Sequence, residues 1–524
     1  MARPYGSRRT MNARASPWNI ALAAPLTLFV AALLVYPLSS LLLTSNANVL
    51  AVWRDPYFQG RLAWTLFQAG LSTLLVLALG TSSAVLFARY GFRGRALLES
   101  LLGVPFVVPM IVAGIGFLAL FGARGAILNL SETPYLLLLA NVFYNYGVVT
   151  RALTVALEGV DRDLELASQL EGATPWQVLR FVTLPHARPT LRSSALLTFL
   201  YCFASFGVPL LLAPAGYATL EVEIYQAVQG DRLNEAAALV WGQLVVTITA
   251  TALYARAQQQ APSLARTINN RLEPRGWARV WLTLHIVFAL ALTLGPLAAV
   301  VWRSVWNDGF TLEHYAAIFA PQGSVYSSDA LSASLNNLRF VALALFVAVP
   351  LGIAHALAVW HTRSAWLEGL ALLPLTVSAT LVGIAYIAAF GMLTANVWLL
   401  VGAYALVAYP FVVRGTLEGL RALDEAVLEA ARVDGASALQ SARFVVAPLI
   451  AAPLRVGVAF AAAVVIGEFG ATLVLQRPEW TTLTTLILDT LSRPGGLGPA
   501  SAGACVLLAL TAIVFAALNP RSRD

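Results

Sequence analysis

The residues of this chain that could do chemistry are few and scattered. There are five histidines (His186, His285, His314, His355 and His361) and two cysteines (Cys202 and Cys505), none grouped at a spacing that would hold a metal. A loop that cradles nucleotide phosphates needs Gly-x4-Gly-Lys-Ser/Thr, whose lysine reaches the terminal phosphates. All 33 basic residues here are arginine, so that loop is excluded. No nucleophile stands beside a base, and no catalytic residue is expected. His186 follows Pro185 in a polar segment and reads as a solvated loop residue. The acid that stands out is Glu468, in VVIGEFGATLVL, where its neighbours are apolar. Charge in such a setting is costly, so it marks either a transport pathway or a polar contact between helices.

The elements that must position these residues are membrane helices. The composition is 59% hydrophobic and 11% charged, with mean hydropathy +0.75. A soluble domain carries about 25% charged residues, so this chain cannot clothe a water-facing surface. A helix needs about 20 apolar residues to cross a bilayer. Such stretches fall near 20–43, 62–88, 97–122, 134–156, 190–213, 235–255, 280–302, 335–360, 366–392, 396–414, 454–475 and 499–518. A β-barrel would show shorter segments of alternating polarity, and these are apolar all round. The expected fold is all-α and polytopic, with about twelve transmembrane helices. The arginines fall in alternate loops, 25 against 8 (Arg54, Arg61, Arg124, Arg232, Arg303, Arg339, Arg477 and Arg493). By the positive-inside rule both termini are expected in the cytoplasm. The net charge of +7 is thus topology, and no nucleic-acid partner is implied. The first apolar run, with Pro25 and Pro37, reads as a retained helix rather than a cleaved signal.

The chain is also written twice. Residues 165–185, ELASQLEGATPWQVLRFVTLP, and 429–448, EAARVDGASALQSARFVVAP, share a register offset of 263 positions. That offset pairs Gly172 with Gly435, Arg180-Phe181 with Arg443-Phe444 and Pro185 with Pro448. It also pairs Phe206-Gly207 with Phe469-Gly470 and Thr219-Leu220 with Thr482-Leu483. Each copy falls between the fourth and fifth spans of its half, so the duplication is parallel, six helices per half. The halves are read as 1–255, with its loop at 158–189, and 280–524, with its loop at 418–453, joined by a basic linker, 256–279. Each loop reads as helix, glycine, helix. Gly172 and Gly435 suit a left-handed cap, Thr174 and Ser437 suit N-caps, and Pro185 and Pro448 stop the second helix. Small outward residues (Ala167 and Ser168; Ala430 and Ala431) would let another protein approach closely.

The pattern Glu-Ala-Ala-x3-Gly resembles the signature of permease subunits of binding-protein-dependent ABC importers. The second loop matches at Glu429, Ala430, Ala431, Gly435 and Pro448; the first matches at Ala167, Gly172, Leu184 and Pro185. In the first loop Leu166 takes the glutamate's place and Glu165 falls one residue early. The resemblance implies that each loop is a coupling helix docking on an ATP-binding subunit. It implies two copies of that ATPase, with ATP and Mg held there and no cofactor on this chain. It also implies a soluble binding protein that delivers the solute, and residence in a prokaryotic cell membrane among lipid.

Ser205, the repeat partner of Glu468, also precedes Phe-Gly. Ser205, Phe206, Glu468 and Phe469 are therefore candidates for the translocation pathway or its gate, with close helix packing at Gly467 and Gly470 as the plainer alternative. Asn141 and Asn145, one turn apart, are read as interhelical hydrogen-bond donors. Glu221, Glu223, Asp231 and Glu235 are read as an acidic outer loop facing the binding protein. The fused layout and FLYCFASFGVPLLLAPAGYATLEVEIYQAV resemble thiamine importers more than ferric-iron importers. An ion-coupled secondary transporter is the rival class, but it leaves the paired loops without a purpose.

Overall fold

The computed structural model describes residues 17–44, 49–259, 271–320, 329–391, 393 and 396–519. The linker 256–279 lies in part outside these residues. Among the described residues there are helices and two isolated bridges, Tyr90 with Leu272 and Trp306 with Phe310, and no strand. Among the described residues, nine helices are long and apolar enough to cross a membrane: Ala24–Leu43, Pro56–Arg89, Tyr135–Glu158, Leu233–Gln258, Trp277–Val305, Ala330–Thr362, Val397–Arg421, Ala438–Ile466 and Leu497–Leu518. Two more candidates are bent pairs, Arg95–Val107 with Met110–Phe121 at 103° and Ala365–Thr376 with Ala379–Phe390 at 91°.

The expected spans at 97–122 and 366–392 are therefore broken helices. Each break has a local cause. Pro109 cannot donate a backbone hydrogen bond, and Ser378 caps the next helix through a 3.0 Å bond from the Leu381 amide. The expected spans at 190–213 and 454–475 are also broken. Leu184–Phe203 and Gly207–Leu212 flank the first break, and Ala447–Ile466 and Gly470–Leu475 flank the second.

The halves are interlocked. The first span of the first half packs on the second half, with Phe29 against Tyr409 and Tyr36 against Phe390, each 5.9 Å between ring centroids. The first span of the second half packs on the first: Phe288 meets Tyr146 edge-on at 5.5 Å. There the helices come so close that a Cβ on Gly116 would lie 2.3 Å from the Pro296 carbonyl oxygen.

Within the second half, Val397–Arg421 and Ala447–Ile466 cross through facing glycines. A Cβ on Gly415 would lie 2.6 Å from the Pro453 carbonyl oxygen, and one on Gly457 would lie 2.7 Å from that of Phe411. Lipid gives helices no hydrophobic reason to associate, so this backbone approach is what binds them. Gly457→Leu is expected to force the pair apart at a cost of about 1–3 kcal/mol, visible as a lower Tm of the detergent-purified chain. An unchanged Tm would show that the crossing does not carry stability.

Candidate coupling elbows and midline gate

The two loops fold into the same elbow. Asp161 and Asp424 cap the first helices, accepting from Asp163 N and Ala426 N at 2.9 and 3.0 Å. These helices, Arg162–Leu170 and Glu425–Val433, then end on Gly172 and Gly435, with φ of +90° and +80°. The Ala173 amide donates to Ser168 O and the Ala436 amide to Ala431 O, each at 3.0 Å, which closes the turn. A side chain at either glycine would be strained in this left-handed conformation. Thr174 and Ser437 then open the second helices with reciprocal capping boxes to Gln177 and Gln440. A π-helical turn follows in both, Leu179–Thr183 and Ala442–Val446.

Ala167, Glu429, Ala430, Gly435 and Pro448 are exposed; Leu184, Pro185 and Ala431 are half-buried. Glu165 turns back on its own elbow and accepts from the Thr183 hydroxyl, so exposed Leu166 occupies the position that Glu429 holds in the second copy. Sequence reasoning missed a set of large apolar residues at matching positions. Leu170 and Val433, Trp176 and Leu439, and Phe181 and Phe444 are all exposed, and Arg180 and Arg443 each lie 5.5 Å from the adjoining phenylalanine ring. A repeated exposed apolar cluster marks an interaction surface, for protein or for membrane. The signal was present in the 263-position register, which pairs these positions, but attention fell on the small residues between them.

At the midline between the halves the helix breaks converge. Phe206 and Phe469, one from each half, are buried and stacked, 6.1 Å between centroids and 26° between planes. A Cβ on Gly207 would lie 3.1 Å from the Phe469 ring, one on Gly467 3.1 Å from Pro109, and one on Gly470 2.1 Å from Thr380 Oγ1. The structure thus brings the Phe-Gly segments against the breaks of both bent helices. Ser205 sits at the same break, half-buried. The Glu468 carboxylate is turned onto its own backbone. It accepts from Ala471 N and Thr472 N, each at 3.0 Å, and from the Thr472 hydroxyl at 2.7 Å. It therefore caps Gly470–Leu475, while Tyr404 reaches Thr472 at 2.6 Å.

Backbone groups freed by the breaks find side chains of each half's long second helix. In the first half, Gln68 donates to Cys202 O at 3.0 Å and Thr65 accepts from Leu220 N at 2.9 Å. In the second, Asn337 does both: it donates to Ile466 O at 3.1 Å and accepts from Leu483 N at 2.7 Å. These residues were overlooked because an isolated amide in an apolar run carries no motif. Asn141 bridges to Gln68 and Ser72 at 3.0 and 2.9 Å, as expected of an interhelical donor.

The acidic outer loop needs correcting. Glu221 and Glu223 are buried on the helix Leu220–Gln229. Glu223 pairs with Arg61 at 2.9 Å and accepts from Tyr57 at 2.7 Å, and Glu221 accepts from Gln243 and Ser378. The segment taken as a loop is an amphipathic helix whose acids face inward to these donors. Asp231 is exposed, and Glu235 is half-buried and paired with Arg232 at 2.5 Å.

The family model for the binding-protein-dependent transport system inner membrane component matches residues 76–261 and again 340–521. The chain belongs to that family and carries its domain twice. It is 33% identical over 300 residues to the thiamine transport system permease protein ThiP of Escherichia coli (strain K12), covering 54% of this chain and 56% of that protein. The molybdenum transport system permease protein ModB of Azotobacter vinelandii is 32% identical over 211 residues, covering 38% of this chain and 93% of that protein. The sulfate transport system permease protein CysT of Escherichia coli (strain K12) is 29% identical over 220 residues, covering 40% and 79%. The chain spans about half the length of the thiamine permeases it matches, 56% and 54% of the first two. A crystal structure of a bacterial ABC transporter that imports alginate aligns with a TM-score of 0.40 and 18% identity, over 46% of this chain and 95% of that one.

Asn337→Leu should orphan the Leu483 amide and the Ile466 carbonyl, at about 1–3 kcal/mol for each group. Thermal unfolding in nanodiscs should show a clear loss of stability, larger than for a substitution on the lipid-facing side of the same helix. Equal effects would mean that other groups satisfy the break.

Proposed function

We propose that the chain is the fused permease of an ABC importer, that it works with two copies of a separate ATPase, and that it imports thiamine delivered by a soluble binding protein. The observation that carries the mechanism is the pair of matching elbows, each rigidly capped and each exposing large apolar residues at the same positions. A homodimeric motor has two equivalent clefts, and two equivalent handles fit it. The elbows lie on the cytoplasmic face in this reading, as the arginine distribution requires. ATP-driven closure of the motor draws the elbows together, and the spans leading from them part Phe206 from Phe469. The solute then passes between the halves where the helices are broken.

Thiamine is favoured by the resemblance of the first-half segment and by the thiamine permeases among the relatives. Ferric iron, sulfate and molybdate are the competing cargoes for the test. Glu468 gives little support to an ion-coupled mechanism, because its carboxylate is occupied by capping.

The complex with its ATPase and binding protein, in proteoliposomes, is expected to accumulate labelled thiamine only with ATP. Uptake driven by an ion gradient without ATP would overturn the reading, and uptake of sulfate or iron alone would replace the cargo. Trp176→Ala with Leu439→Ala should weaken ATPase co-purification about ten-fold or more, as loss of buried interface anchors does. Undiminished co-purification would remove the elbows from the interface.

A further inference from the structure

Each elbow is joined to the gate by an ion pair, and the two pairs have opposite polarity. In the first half, Glu158 is the last residue of Tyr135–Glu158, just before the Asp161 cap. It meets Arg95, the first residue of Arg95–Leu101, at 2.5 Å. In the second half the equivalent of Glu158, 263 positions on, is Arg421, the last residue of Val397–Arg421. It meets Glu368, in the first turn of Ala365–Leu372, at 2.7 Å. Both pairs link the entrance of an elbow to the base of a bent helix. The far ends of those bent helices are the breaks at Pro109 and Ser378, which adjoin Gly467 and Thr380–Gly470 beside the aromatic pair.

The two braces differ in strength. Arg95 and Glu158 are about 9% and 10% exposed, and Arg95 is further fixed by Glu99 at 2.6 Å and by the Phe87 carbonyl. Arg271, in the described part of the linker, adds a second cation to Glu158 at 2.9 Å. There Leu272 also exchanges backbone bonds of 3.0 Å with Arg89 and Gly91. Arg421 and Glu368 are 54% and 41% exposed.

We propose that Arg95–Glu158 and Glu368–Arg421 are positioning pairs that make each elbow move its bent helix, and so its side of the gate, as one body. The proposal rests on the reading of the chain as an ATP-driven permease. The reversed polarity confines each brace to its own half: Arg95 facing Arg421, or Glu158 facing Glu368, would repel. The linker holds the first elbow more firmly, so the two elbows are not equivalent even though their local geometry is.

The more exposed brace gives the cleaner test, because charge reversal there adds little burial cost. Glu368→Arg and Arg421→Glu are expected to lower thiamine uptake per ATP hydrolysed about five-fold each, near the middle of the range that coupling residues show. ATPase activity should persist. The double reversal should restore uptake to within about two-fold, since the pair is remade with the polarity of the first half. Hydrogen–deuterium exchange on the purified chain needs no solute. Glu368→Arg should raise exchange in both 365–390 and 425–446, and the double variant should return both to the starting level. Single variants that match the unaltered chain in both measurements, or a double variant no better than its worse single, would overturn the proposal. Failure of the unaltered complex to take up thiamine would count against the cargo instead, with the exchange measurement still deciding the brace.

Discussion

A backbone amide or carbonyl has no water to turn to inside a bilayer, and most of this structure answers to that constraint. Four helices are interrupted where a continuous helix would satisfy every group, and the interruptions converge where the halves meet. The long second helix of each half supplies the missing partners: Thr65 and Gln68 in one, Asn337 in the other. Glu468 does the same for the short helix that follows it. Irregular backbone is tolerated in membranes only where it is buried in protein or lines a cavity. Its concentration at the seam between the halves places it where it is buried in protein.

The seam and the elbows are different kinds of structure. At the elbows, local rules decide everything: aspartate caps, a left-handed glycine, a capping box and a proline repeat almost residue for residue. At the seam the two halves have diverged. Serine stands opposite glutamate, and two side chains in one half, the acceptor Thr65 and the donor Gln68, are replaced by one amide, Asn337, in the other. The elbows thus keep the same local geometry in both halves, while the seam does not.

This division also decides what the sequence made legible. The caps and glycine turns of the elbows could be read to the residue, because they depend on neighbours a few positions away; Pro185 and Pro448 misled, since the second helices do not stop there but run on through the π-helical turn into the next span. The gate was legible only as a pairing, Phe206 with Phe469, through the repeat. Its helix breaks were hidden inside apolar runs, where Pro109 and Ser378 looked tolerable within a continuous span. Glu221 and Glu223 looked like solvent-facing acids because their partners, Gln243, Ser378 and Arg61, are far away in the chain. The large apolar residues of the elbows were visible in the sequence, but that both copies expose them at matching positions was not.

The exchange of first spans between the halves bears on why the two are fused. Phe29 and Tyr36 are held by Tyr409 and Phe390, and Phe288 is held by Tyr146. Each half keeps hold of the other by a limb, so the covalent connection contributes mainly proximity during assembly. A gene split between the halves would still encode a clasped pair, and the single chain chiefly guarantees that unlike halves, rather than two copies of one, come together.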